Sequence, residues 1–290
     1  MRDDGSVERI DDAARALYAR DGVVCLRAAF DPVWTDLLAD AIAENLAHPS
    51  PRFLDRSKPG DPARFVEDYW VWRRIDGFRR YAFESPAAAT VGALLQAERI
   101  TLLMDNWFLR EAGAPARAPW HQDEPYFDFH GRMAVIWTPL EDAPRDQGLV
   151  FAAGSHRTGL YAPTHFQTHL PKTDAMAAGG ETYRPIPDID AAPAGAHRLV
   201  GFDMRRGDCL IFDMRTLHAG RAGPPPDRTI RRVSLRLGAD PVTYRPRGPW
   251  TLDDRPTLEA AGLAPGDRVA GPDFPTVWAR SERSEDRTSA

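Results

Sequence analysis

A histidine and an aspartate stand two positions apart in PWHQDEPYF, residues 119 to 127, between a tryptophan and an aromatic cluster. In a β-strand, residues i and i+2 point to the same face, so His121 and Asp123 would project together. Such groups are costly to desolvate unless something pairs with them. Side by side, an imidazole nitrogen and a carboxylate oxygen can chelate one divalent metal. This pair alone also fits a surface salt bridge or a catalytic dyad.

A third metal donor occurs in FDMRTLHAG, where His218 stands at the end of another apolar strand, 97 residues beyond His121 (218 − 121). Two histidines and one carboxylate on one face of a metal leave the opposite face open, an arrangement typical of non-haem Fe(II) oxygenases. The sequence therefore predicts that His121, Asp123 and His218 hold a metal and form the catalytic centre.

The segment RTIRRVSLRL follows His218 and places Arg232, Ser234 and Arg236 on one face of a predicted strand. An arginine inside an enclosed barrel needs a carboxylate partner, which a bound dicarboxylate supplies through two parallel hydrogen bonds. The alternative is the basic outer face of an edge strand. We expect that outer position for Arg231 and Arg236.

The elements that must position these residues change in character along the chain. Helical spacing in IDDAARALYAR, a proline-initiated run from Pro32 and residues 88 to 97 predict three early helices, whereas GVVCLR reads as a strand. From Arg99 onward, short β-type runs such as ITLLM, MAVIWTPL and CLIFDM alternate with turn signals. Helices first and strands after, without βαβ alternation, predict a mainly β fold with flanking helices, a barrel or sandwich.

We expect one domain over residues 1–278, with a helical N-terminal part over about 1–98 and the β core over about 99–245. The polar end, residues 279–290, is predicted to be a flexible tail. The segment 158–197 has few strand signals, and a loop of that length is more often functional than filler.

The composition of the chain argues against several classes of function. The chain has 290 residues, a formal charge of −5 and a pI near 5.9, which argues against a nucleic-acid or anionic-membrane binder. No apolar run approaches the roughly 20 residues of a membrane span. The two cysteines, Cys25 and Cys209, lie in apolar runs and are predicted to be buried thiols. We therefore expect a cytoplasmic protein, and the composition leaves open whether it is a monomer or a homo-oligomer.

The order of motifs resembles the phytanoyl-CoA dioxygenase family of Fe(II)/2-oxoglutarate oxygenases. The stretches that carry the resemblance span most of residues 10 to 245: DGVVCLR, NWFLREAG, PWHQDEPYF, AVIWTPLEDA, GLVFAAGSHRTG, MRRGDCLIFDMRTLHAG and RRVSLRL. The resemblance implies a double-stranded β-helix, the jelly-roll or cupin-like core, and a requirement for Fe(II), 2-oxoglutarate and O2.

By the same resemblance, the three predicted ligands would hold iron, and Arg232 with Ser234 would hold the distal carboxylate of 2-oxoglutarate. Trp137 falls where the family has a tryptophan lining the cosubstrate pocket. The family arginine usually lies closer to the distal histidine than Arg232 does. Arg228 is therefore the rival, with Arg231 behind it, although strand parity with Ser234 favours Arg232.

The reaction implied is the hydroxylation, or another oxidation, of a small molecule, coupled to decarboxylation of 2-oxoglutarate to succinate and CO2. Asp123 is intact, which disfavours halogenation, because related halogenases replace that carboxylate with a small residue. The alternative is a jelly-roll metalloprotein that uses the same triad without 2-oxoglutarate, as a lyase, isomerase or other dioxygenase. A non-catalytic small-molecule binder is a further alternative.

Substrate contacts are predicted from aromatic and basic residues near the triad. Tyr126 and Phe127 are expected at the pocket mouth, and Trp70 with Arg73, in EDYWVWRR, is expected to contact the substrate. Asn106, in NWFLR, is predicted to wall the site.

Overall fold

The computed structural model describes residues 6, 8–166, 168, 170–172, 183–221, 223–248, 250–251 and 255–280. The helices in this part of the chain are α1 (Asp12–Asp21), α2 (Pro32–Ala47), α3 (Asp76–Glu84), α4 (Ala87–Leu95) and the short α5 (Arg255–Ala260). The Asp11 side chain caps the start of α1, and Gly22, at φ 77°, ends it in the left-handed region. The three helices expected from the sequence are therefore present as α1, α2 and α4, and α3 and α5 are additional.

One large antiparallel sheet forms the frame of the molecule. Its strands, in spatial order, are β1 (Val23–Leu26), β8 (Cys209–Asp213), β5 (Phe129–Pro139), β10 (Ile230–Tyr244), β4 (Arg99–Arg110), β3 (Phe65–Tyr69) and β2 (Leu54–Asp55), and β11 (Thr276–Ala279) also pairs with β4. Because β10 lies between β4 and β5, it is a central strand, and its side chains alternate between two covered faces.

A smaller antiparallel sheet, of order β7 (Leu199–Val200), β6 (Leu149–Ala152) and β9 (His218–Gly220), faces the large one across a cavity. The two facing sheets, with helices on the outside, confirm the mainly β, jelly-roll architecture predicted from the sequence. The N-terminal part is less helical than expected, because β1, β2 and β3 all join the large sheet.

The hydrophobic core lies between the outer face of the large sheet and the helices. Val233, Leu235 and Leu237 of β10 are fully buried against it, and each such side chain contributes about 1.5–3 kcal/mol. Odd-numbered residues over this part of β10 thus face the helices. The even-numbered residues face the cavity as far as a register shift after Arg236.

The remaining predictions about the frame have mixed outcomes. Cys25 and Cys209 are buried free thiols, as predicted. Strand β11 keeps the chain in the large sheet as far as Ala279, and residues 281–290 of the predicted tail lie outside the described residues. No described helix is both long and apolar enough to cross a membrane.

A buried carboxyl on the helix side of β4 should make stability depend on pH. Asp105 is fully buried; its Oδ2 accepts a hydrogen bond from the Trp72 backbone N–H at 3.0 Å, and its Oδ1 has no partner. Burial raises the pKa of Asp105 to about 7. The folded state therefore holds this proton more tightly than the unfolded chain, so stability falls as pH rises from about 4 through about 7 and is level above that.

Asp105→Asn is expected to remove this pH dependence, so that the loss of stability between pH 5 and pH 8 becomes smaller by on the order of 2–3 kcal/mol. Urea unfolding at pH 5 and pH 8 measures the effect. Asp40→Asn, at an exposed position of α2, is the matched control and should change neither value. Equal pH dependence in the Asp105→Asn variant and the unaltered protein would contradict the assignment.

Candidate metal centre and cosubstrate pocket

His121 and His218 are brought together by a single antiparallel bridge. Each backbone N–H donates to the carbonyl of the other residue at 2.9 Å. Both imidazoles contact backbone carbonyl oxygens through Nδ1: His121 to Pro119 at 2.8 Å, and His218 to Thr216 at 2.9 Å. These bonds fix the ring orientation and leave both Nε2 atoms facing Asp123, which is how metal-binding histidines are commonly held.

Asp123 reaches the same point from a turn, not from a strand. The expected strand over PWHQDEPYF is wrong beyond His121: Asp123 has helical φ/ψ angles and begins a 3₁₀ turn with Pro125 in its first positions. The backbone N–H groups of Asp123 and Glu124 both donate to the Met214 carbonyl, at 2.8 and 2.9 Å. The turn thereby ties the aspartate to the segment that leads into His218.

The three side chains form a compact donor set. Asp123 Oδ1 lies 3.3 Å from His121 Nε2 and 3.8 Å from His218 Nε2. One ligand atom from each of the three residues lies within 4.8 Å of the other two. Burial and the neighbouring His121 lower the pKa of His218 to about 3, so its imidazole is neutral at pH 7. Two imidazole nitrogens and one carboxylate oxygen are a donor set that suits iron.

Arg236 contacts the other oxygen of the same carboxylate. Its Nε donates to Asp123 Oδ2 at 3.0 Å, and its NH2 forms an ion pair with the same oxygen at 2.9 Å. Burial alone would raise the pKa of Asp123, but Arg236 and the two imidazoles hold it well below its usual value. The expected outer position of Arg236 is therefore wrong, because β10 is a central strand. Arg231 does face outward, where it pairs with Glu141 at 2.7 Å.

A cavity of about 450 Å³ opens from this donor set. At one end it is lined by residues of the central strands: Trp137 of β5 lies directly across the ladder from Ser234 of β10, and Arg232 lies beside them. The Arg232 guanidinium stacks over the Trp137 ring at 5.2 Å.

Arg232 is the one described arginine that has a buried nitrogen without a partner. It is 4% exposed; NH1 donates to the Arg231 carbonyl at 2.8 Å and lies 3.5 Å from Glu141, but NH2 has no partner. Burial lowers the pKa of Arg232 to about 10, which leaves it charged at neutral pH. A buried, partly unsatisfied cation at a cavity wall fits an anionic ligand group. Arg228, its rival, is exposed, donates to the Asp142 carbonyl at 3.0 Å, and is not among the lining residues.

The other end of the cavity is aromatic. Tyr126 and Phe127 line it, together with Phe166, whose ring stands edge-on to His121 at 4.8 Å. The Tyr126 hydroxyl donates to the Thr164 carbonyl at 2.7 Å and accepts from the Thr164 N–H at 2.7 Å. These two hydrogen bonds hold Thr164, near the start of the long 158–197 segment, close to the triad.

Trp70 and Arg73 are placed elsewhere. Neither is among the described residues that line the cavity; Arg73 stacks on Trp70 at 4.5 Å and pairs with Asp273 at 2.8 Å. Trp70 is buried against Phe274. The predicted substrate contact is replaced here by a contact with the C-terminal segment, which the spacing of EDYWVWRR could not reveal.

Sequence reasoning missed a group of lining residues that come from distant parts of the chain. Arg56 and Glu67, an ion pair across β2 and β3, line the cavity, and Trp250 reaches it from beyond β10. Trp250 donates to the Pro125 carbonyl at 2.7 Å, and the fully buried Arg247 pairs with Glu124. No single motif unites these residues: Arg56 and Glu67 depend on the pairing of β2 with β3, and Trp250 depends on the packing of the C-terminal segment on the 3₁₀ turn.

Comparisons with known proteins agree with this geometry. The family model described as "Phytanoyl-CoA dioxygenase (PhyH)" matches residues 18–226. No curated protein sequence matches the chain. The fold is similar to that of the solved epimerase SnoN from nogalamycin biosynthesis, in complex with Fe3+, alpha ketoglutarate and nogalamycin RO. The identity is 25%, the match covers 91% of this chain and 97% of that one, and the TM-score is 0.70.

Two further solved structures share the fold at lower identity. The alpha ketoglutarate dependent carbocyclase SnoK is 18% identical, with 91% and 95% of the two chains covered and a TM-score of 0.68. EctD from S. alaskensis, with 2-oxoglutarate and 5-hydroxyectoine, is 17% identical, with 79% and 76% covered and a TM-score of 0.59. Since the family model spans most of the sequence, this chain belongs to the phytanoyl-CoA dioxygenase family.

Proposed function

We propose that this protein is a non-haem Fe(II)- and 2-oxoglutarate-dependent dioxygenase that oxidises a small molecule. The observation that carries the proposal is the convergence, in one cavity, of a buried two-histidine, one-carboxylate donor set with an arginine whose NH2 has no partner. The first arrangement suits iron and the second suits a dicarboxylate. A jelly-roll metalloprotein that does not use 2-oxoglutarate has no need of the second.

Each residue has a distinct task in this proposal. His121 Nε2, His218 Nε2 and Asp123 Oδ1 bind the metal, and the carbonyls that contact the two Nδ1 atoms keep the rings aimed. Arg232 binds the distal carboxylate of 2-oxoglutarate beside Trp137. When bound, the iron and cosubstrate supply the oxidising chemistry, with 2-oxoglutarate converted to succinate and CO2. The buried walls keep bulk water from the donor set.

Ser234 has a more limited role than the resemblance implies. Its hydroxyl donates to Asn106 Oδ1 at 2.5 Å, so its only proton is already engaged. A carboxylate needs a donor. Arg232 therefore provides the main contact, and Ser234 contributes chiefly by orienting Asn106.

The substrate occupies the part of the cavity beside the triad that is lined by the Tyr126, Phe127 and Phe166 rings. Hydroxylation is the outcome that we propose. The solved relatives include an epimerase and a carbocyclase, so product analysis is part of the test.

The deciding experiment is an anaerobic titration of the apoprotein with Fe(II) and then with 2-oxoglutarate, followed by visible absorption. A metal-to-ligand charge-transfer band is expected only when both are present. Iron binding without a band would support the alternative metalloprotein function, and absence of iron binding would refute the proposed function. Succinate formation in air, measured with candidate substrates, then reports the oxidation.

A further inference from the structure

The Arg236 guanidinium contacts one oxygen of the Asp123 carboxylate. Nε donates to Asp123 Oδ2 and NH2 forms an ion pair with the same oxygen, whereas Asp123 Oδ1 is the oxygen near the two imidazole nitrogens. NH1 donates to Asn106 Oδ1 at 2.8 Å. As a result, the two oxygens of Asp123 differ: Oδ1 faces the predicted metal position, whereas Oδ2 is already hydrogen-bonded to Arg236.

The position of the guanidinium is itself fixed by its surroundings. Asn106 lies on β4 beside β10, and its Oδ1 accepts hydrogen bonds from both Arg236 and Ser234. The Phe127 ring lies 5.2 Å from the guanidinium carbon. With hydrogen bonds on one side and a ring contact on another, the arginine has little freedom to release Oδ2.

We propose that Arg236 is a positioning residue that limits Asp123 to one metal-binding oxygen. An octahedral ion held by three protein donors has room for the two chelating atoms of 2-oxoglutarate and for one further ligand. A carboxylate that binds through both oxygens would fill that last position, which O2 needs. The inference rests on the proposed iron site.

A structural role for Arg236 makes a different prediction from this positioning role. Loss of a merely structural contact would loosen the donor set and weaken iron binding. In the positioning role, removal of Arg236 frees Oδ2 to bind the metal as well and also removes a neighbouring positive charge, so iron binding is not weakened. The defect appears instead in the reaction with O2, which needs the open position on the metal.

The test compares Arg236→Gln, Arg236→Lys and the control Arg231→Gln, at an arginine of the same strand that faces outward. Calorimetry measures Fe(II) binding, and visible absorption follows the charge-transfer band before and after O2 is added. Arg236→Gln is expected to bind Fe(II) at least as tightly as the unaltered protein and to form the band. Its band should bleach in O2 at least about tenfold more slowly. Arg236→Lys, which can still donate to Oδ2, should recover faster bleaching, and Arg231→Gln should match the unaltered protein.

Two results would overturn the inference alone: a normal bleaching rate in Arg236→Gln, or a loss of Fe(II) affinity beyond tenfold in both Arg236 variants. Thermal unfolding of the apoproteins separates loss of fold from loss of affinity. If the unaltered protein formed no band, the proposed function would fail, and this inference with it.

Discussion

His218→Ala is expected to abolish iron binding and cosubstrate turnover, and Asp123→Ala to do the same. Each substitution removes one of the three donors that meet within 4.8 Å. Loss of an outer hydrogen-bond partner of a metal ligand typically costs 10- to 100-fold in affinity, so loss of a ligand itself should cost more than about a hundredfold. Fe(II) calorimetry and succinate formation measure the two effects.

The matched control for the histidine is His156→Gln. His156 is also buried, but it lies outside the cavity, where its Nε2 contacts the Ala19 carbonyl at 3.2 Å. We expect this variant to bind Fe(II) and to turn over 2-oxoglutarate normally. If it lost iron while His218→Ala retained it, the donor set would be wrongly assigned.

The metal donor set was predictable because its residue types are unusual and their motifs are local. His121 and Asp123 stand close in sequence, and His218 ends a recognisable apolar strand. The local conformation was not predictable. The turn at Asp123 depends on the Met214 carbonyl, which accepts two backbone hydrogen bonds from a distant part of the chain. Strand parity gave the right direction for this side chain for the wrong reason.

The case of Arg236 shows what strand alternation can and cannot decide. Parity placed Arg232, Ser234 and Arg236 on one face, and the structure agrees. Whether that face points inward depends on whether the strand is central or at an edge, which a single strand does not reveal. Applied consistently, the same parity that selected Arg232 would have placed Arg236 inside.

The substrate end of the cavity was the least predictable part. Phe166 comes from the long loop, Glu67 from β3 and Trp250 from beyond β10, so no motif unites them. Their meeting depends on tertiary contacts, such as the hydrogen bond from Tyr126 to Thr164 and the buried pair of Arg247 with Glu124. Loops and a packed C-terminal segment carry little periodicity, so the sequence pattern predicts Trp70 and Arg73 in their place.

Arg232→Gln is expected to raise the KM for 2-oxoglutarate by about a hundredfold, with a smaller effect on kcat. Truncating one partner of a buried, hydrogen-bonded charge pair costs about 2–5 kcal/mol, and about 3 kcal/mol corresponds to roughly a hundredfold in affinity. The Arg232 NH2 is buried and without a protein partner, so it is free to donate to the cosubstrate carboxylate. Glutamine at this position would lack the positive charge and the paired donors of the guanidinium. Iron affinity should be unchanged, because Arg232 makes no contact with the triad among the described interactions.

Arg228→Gln and Arg231→Gln, at the two rival positions for the cosubstrate arginine, are the matched controls. Arg228 is exposed and bonded to the Asp142 carbonyl, and Arg231 is paired with Glu141 on the outer face. Both are expected to keep the KM for 2-oxoglutarate of the unaltered protein, measured by succinate formation over a range of cosubstrate concentrations. A raised KM in Arg228→Gln together with a normal KM in Arg232→Gln would show that the arginine nearer to His218 binds the cosubstrate. The β10 strand would then have to shift or the Arg228 side chain would have to turn inward during binding, because in this structure parity and burial both place Arg232 at the cavity wall.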